Sequence, residues 1–102
     1  MENDLEIRVQ VKKILELIKS VAPGKSVELR VPPYAAIQCV AGISHRRGTP
    51  PNTVEMSGQT LVRLINEPAL WSILCESGEV RASGLLSDLS KVFAQAALKY
   101  RA

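Results

Sequence analysis

Aromatic side chains are scarce in this 102-residue chain, with Tyr34, Trp71, Phe93 and Tyr100 the four present. A core with so few rings must be built from Leu, Ile, Val and Ala, and is pliable in shape. The same scarcity argues against single-stranded nucleic acid as a partner, because such binding needs stacking rings on a basic face and these rings stand in apolar contexts. Thirteen Lys and Arg against ten Asp and Glu give a net charge of +3. The two signs are interleaved along the chain, which is mild basicity and not a nucleic-acid footprint.

Cysteine and histidine are equally sparse. Cys39 and Cys75 lie 36 positions apart in apolar surroundings, without the paired spacing of a metal or redox motif, and read as buried free thiols. Together with His45 alone they fall short of any zinc pattern. His45 could serve Cys39 or Ser44 as a base, but no third group is spaced to orient it, and no glycine fingerprint cradles a phosphate. The expectation is a protein that is not an enzyme and holds no metal or cofactor. No apolar run approaches the roughly 18 residues of a membrane span, and the opening Met1-Glu2-Asn3-Asp4 is acidic where a secretory signal would be basic. A cytoplasmic protein without stable membrane insertion is expected.

What is present fits a folded domain. Hydrophobic residues make up 46% and charged residues 23%, the ordinary globular balance. The length suits one domain over residues 1–102 with a single core, hiding somewhat more than about 60% of the unfolded surface.

Residues 3–20 carry two periodicities. Leu5, Ile7, Val9 and Val11 alternate like a strand, while Ile7, Val11, Ile14, Leu15 and Ile18 recur like a helix, and the longer pattern predicts the helix. Its outer face would hold Lys12, Lys13, Glu16 and Lys19. Asn3 and Glu6 imitate a capping box, and Pro23-Gly24 supplies the stop. Val27, Leu29 and Val31 then alternate with polar neighbours as a half-buried strand, ended by Pro32-Pro33. Tyr34 to Val40 is a second extended run, expected to pair with the first. Gly42 to Pro51 is a loop rich in breakers, holding His45, Arg46 and Arg47.

The remainder orders a strand over Thr53 to Ser57, a helix from Gly58 to Asn66 with Ser57 as N-cap, and a second short helix opened by Pro68 and ended by Gly78. Trp71, Leu74 and Cys75 would form the apolar side of that short helix. A further strand has Val80 and Ala82 facing inward, and Leu85, Leu86, Leu89, Val92, Phe93 and Ala96 mark a closing helix over about 86–100. Strands interspersed with helices in this way predict an α+β fold, with helices over one face of a sheet.

Two constellations could carry function. Met56, Leu61, Leu64, Trp71, Leu74, Val80, Leu89 and Phe93 could line an apolar slot between sheet and helices, the usual form of a small-molecule site. The same residues could equally fill an ordinary core, since any α+β domain puts amphipathic helices on a half-apolar sheet. His45-Arg46-Arg47 between Gly42 and Gly48 could hold a carboxylate or phosphate head group, or could be a solvated basic turn.

The order of Thr53-Val54-Glu55-Met56-Ser57, Leu61-Val62-Arg63-Leu64-Ile65, Ala69 to Leu74 and Gly78-Glu79-Val80-Arg81-Ala82-Ser83-Gly84 resembles the sterol carrier protein family. The front half, through Ser26 to Tyr34, Ile37 to Val40 and His45 to Glu55, is similar to a short actinobacterial branch of it, so nearly the whole chain is covered. The resemblance implies a twisted mixed sheet of four to five strands with helices over one face, enclosing an apolar tunnel for a fatty acid, acyl ester or other lipid. It implies an intracellular lipid carrier and not an enzyme. Typical members fit an extra strand and hairpin between Val40 and Asn52, where this chain has eleven residues, so one strand is expected to be short or absent. The alternative function is an interaction module with a filled core, binding a protein partner or a second copy through its exposed sheet face or loop.

Overall fold

The computed structural model describes residues 4–42 and 52–102. The chain opens with helix α1 (Asp4–Val21), followed by strands β1 (Val27–Val31), β2 (Ala35–Cys39) and β3 (Asn52–Met56). Helix α2 (Gly58–Asn66), a 3-10 turn (Pro68–Leu70) and helix α3 (Trp71–Ser77) lead to strand β4 (Val80–Ser83) and helix α4 (Ser90–Arg101). The four strands form one sheet in the order β2-β1-β3-β4, with the parallel pair β1 and β3 at its centre and antiparallel strands on either side.

The competition of periods in α1 is settled by burial. Ile7, Val11, Ile14, Leu15 and Ile18 form its buried stripe, while Leu5 and Val9, which belong to the alternating pattern, are 64% and 60% exposed. Lys12, Lys13, Glu16 and Lys19 lie on the exposed face as expected. The capping role expected of Asn3 falls outside the described residues.

In the sheet, alternation sorts the side chains cleanly. Val27, Leu29 and Val31 of β1 and Asn52, Val54 and Met56 of β3 are buried beneath the helices. Glu28, Arg30, Thr53 and Glu55 stand half-exposed on the opposite face. β1 pairs with β2 as expected, Leu29 opposite Ile37, through a turn containing a cis Pro32–Pro33 peptide and closed by the Tyr34 amide donating to the Val31 carbonyl at 2.9 Å. A helical cover over one face of an open mixed sheet is the α+β arrangement the pattern predicts, with four strands among the described residues.

Helix α2 begins where Ser57 requires it to, the Ser57 hydroxyl accepting a hydrogen bond from the Thr60 amide at 3.1 Å. Gly58 lets this helix approach α1 closely, since a Cβ at that position would stand 2.8 Å from Ile7 Cγ2. Gly78 ends α3 in the left-handed conformation, at φ 84°.

Two expectations need correction, and a third holds in facing but not in burial. β3 starts at Asn52, one residue before the expected strand, because the Asn52 side chain is itself buried and bonded. Ala82 shares the inner sheet face, opposite Val54, but is left exposed: β4 is an edge strand whose cover ends with Val80, and Ala82 stands in a surface cleft beside Cys75. The closing helix starts at Ser90, not 86. The Leu86 amide donates to Asn52 Oδ1 at 2.9 Å, the Ser87 amide and hydroxyl both donate to the Gly84 carbonyl, and Asp88 accepts from the Ser90 amide at 2.9 Å. These bonds hold Leu86 to Leu89 in a turn, and Leu85 is left fully exposed.

Candidate functional site

The eight residues expected to line a slot come from five places in the chain and are brought together. Met56 ends β3, Leu61 and Leu64 form the inner side of α2, and Trp71 and Leu74 come from α3. Val80 opens β4, Leu89 precedes α4 and Phe93 lies in its first turn. All are buried, Trp71 being the most exposed at 7%, and all belong to one apolar cluster. That cluster continues into the α1 stripe and the inner face of β1. The Trp71 and Phe93 rings pack with centroids 5.9 Å apart and planes tilted by 35°, an off-parallel contact of the kind aromatic pairs favour.

Two surface clefts reach this cluster. One, of about 450 Å³, lies beyond the C-terminal ends of β1 and β3, where Met56 meets the first turn of α2; Ser57, Thr60, Arg63, Glu79 and Arg81 line it. The other, of about 510 Å³, curls around the edge strand, where Val80, Ala82 and Cys75 meet Thr53, Glu55 and Arg81. Arg81 borders both. Its guanidinium pairs with Glu55 at 3.0 Å, and Arg63 pairs with Glu79 at 3.4 Å.

Cys75 borders the second cleft, whereas Cys39 lies on β2 at the far edge of the sheet. Burial pushes the Cys39 thiol up to about 11, and burial, reinforced by the nearby Asp88 charge, raises Cys75. Both thiols are free, Cys39 buried and Cys75 half-buried. Asp88 is held below the usual carboxylate range by its hydrogen bonds with Ser90 at the start of α4. Among the described residues no cluster of His, Cys, Asp and Glu could hold a metal ion, and no helix is long and apolar enough to cross a membrane.

The basic triplet His45, Arg46 and Arg47 lies outside the described residues, so its proposed head-group role has no geometry. Sequence reasoning missed two features. Asn52 is buried, its amide donating to the Ser26 carbonyl at 2.9 Å while its oxygen takes the Leu86 amide. Arg63 and Arg81, set far apart in sequence on α2 and β4, face the same cleft. A lone polar residue at the start of an apolar alternation was the available signal for the first, and none existed for the second.

The family model for bacterial sterol carrier protein orthologs matches residues 4–94. This chain belongs to that family. Among solved structures, a UbiJ-SCP2 ubiquinone synthesis protein matches with a TM-score of 0.55 at 17% identity, covering 100% of this chain and 98% of the other. At that identity the likeness is one of fold. No curated protein matches the chain. The sterol carrier relationship accounts for the mixed sheet and for a cover made of helices drawn from both halves of the sequence.

Proposed function

We propose that this sterol carrier ortholog binds an apolar ligand without catalysis and carries it within the cytoplasm. The ligand is a fatty acid, acyl ester or other lipid, held between sheet and helices where Met56, Leu64, Trp71 and Phe93 meet. Family membership over residues 4–94 is the observation that carries this reading. The core is consistent with it, being mostly aliphatic with two rings at the junction of three helical segments. Transfer of alkyl surface supplies about 0.8 kcal/mol per methylene, so some ten methylenes contribute roughly 8 kcal/mol before the costs of association. Two free thiols suit a reducing compartment.

A second reading, an interaction module with a filled core, is favoured by the burial itself: none of the eight residues exceeds 7% exposure. A ligand must therefore part side chains that are in contact in its absence. Native mass spectrometry of the purified protein, followed by solvent extraction, separates the two. A near-stoichiometric fatty acid or lipid supports the carrier. A bare mass, unchanged after incubation with fatty acids and acyl esters, supports the filled core.

A further inference from the structure

We propose that the cleft between the first turn of α2 and β4 is the mouth of the ligand site and binds an anionic head group, a carboxylate or phosphate, through Arg63 and Arg81. The proposal rests on the carrier reading and names the ligand class it selects, an anionic amphiphile over a neutral one.

Three observations converge on this cleft. Its volume of about 450 Å³ holds a head group, and its lining includes Met56, which is also part of the apolar cluster. A ligand seated there has a polar recess at one end and the core at the other. Secondly, two guanidinium groups border the cleft, Arg63 paired with Glu79 inside it and Arg81 paired with Glu55 just beyond it.

Thirdly, both arginines are held in weak internal pairs. Arg63 lies 3.4 Å from Glu79, longer than the roughly 2.7–2.9 Å of a strong charge-assisted bond, and its side chain is 55% exposed. Arg81 contacts Glu55 at 3.0 Å and is 64% exposed. Exposed pairs of this kind contribute little, so an entering carboxylate or phosphate exchanges partners at small cost. Guanidinium groups on α2 and β4 border this one cleft, and their planar donors suit the oxygens of an anion. The α2 N-terminus at the same cleft adds a favourable partial charge.

The test compares binding of a long-chain fatty acid and its methyl ester, at neutral pH and low salt, by wild type and an Arg63→Gln/Arg81→Gln variant. Both side chains are more than half exposed, so the variant keeps the fold, and a thermal melt checks it. Wild type is expected to bind the acid about ten-fold more tightly than the ester. The variant is expected to bind both alike, with ester affinity unchanged. Equal binding of acid and ester by wild type overturns the head-group site and leaves the carrier reading standing. A preference retained in the variant also overturns it, placing the anion elsewhere. Failure of wild type to bind either molecule overturns the carrier reading, and this site with it.

Discussion

Trp71 and Phe93 pack ring against ring at 5.9 Å, joining the start of α3 to the first turn of α4. Phe93 is fully buried, so Phe93→Ala removes its contacts and leaves a cavity. The expected destabilisation is about 3–5 kcal/mol. Urea denaturation followed by the fluorescence of Trp71, the sole tryptophan, measures it. A loss below about 1 kcal/mol would mean that the ring sits in slack space, contrary to the packing described.

Leu64 is fully buried on the inner side of α2. Leu64→Gln places an amide where an alkyl chain would lie, and fatty-ligand affinity is expected to fall at least about ten-fold in variant protein that remains folded. Leu64→Met, similar in volume, should bind nearly as wild type does. Unaltered affinity in folded Leu64→Gln protein would remove this residue from the site.

Asn52 links two distant segments through one side chain, donating to Ser26 and accepting from Leu86. Asn52→Ala loses both bonds and leaves the buried Ser26 carbonyl without this donor, at an expected cost of about 1–3 kcal/mol. Amide exchange should locate the damage: the Leu86 amide loses its protection even under conditions where β1 keeps its own.

The thiols should differ in reactivity. Cys39, buried and pushed up to about 11, stays protonated at pH 8 and should react with a thiol reagent only on global unfolding. Cys75, half-buried, should react first. Because the folded Cys39 value lies above the ordinary 9.0, its contribution to stability is complete below pH 9 and is lost as pH rises through about 11. Denaturation midpoints should therefore fall across that window, and Cys39→Ala should flatten this part of the curve.

Local chemistry made much of this fold legible in advance. The stripe from Ile7 to Ile18, the alternation from Val27 to Val31, the Ser57 cap and the Gly78 stop each depend on neighbours within a few residues. The errors arose where distant partners decide. Leu85 and Leu86 continue a helical apolar pattern, yet Leu86 gives its amide to Asn52, 34 positions earlier, and the helix waits for Asp88 and Ser90. Ala82 alternates correctly with Val80, but an edge strand's cover is set by where a helix stops. The eight core residues could be named from periodicity, whereas the sharing of one cleft by Arg63 and Arg81 depends on the β3–β4 pairing and had no sequence signal.

The packing of α1 against α4 also sets a schedule for synthesis. A ribosome releases the apolar stripe of Ile7, Val11, Ile14, Leu15 and Ile18 first, and Phe93, Ala96 and Ala97 only after every strand has been made. Until α4 emerges, the apolar stripe of α1 is covered only by α2 and β2 and stays partly exposed, a surface prone to non-native association. Any slot bounded by Phe93 therefore closes only after α4 has been made, later than the four described strands.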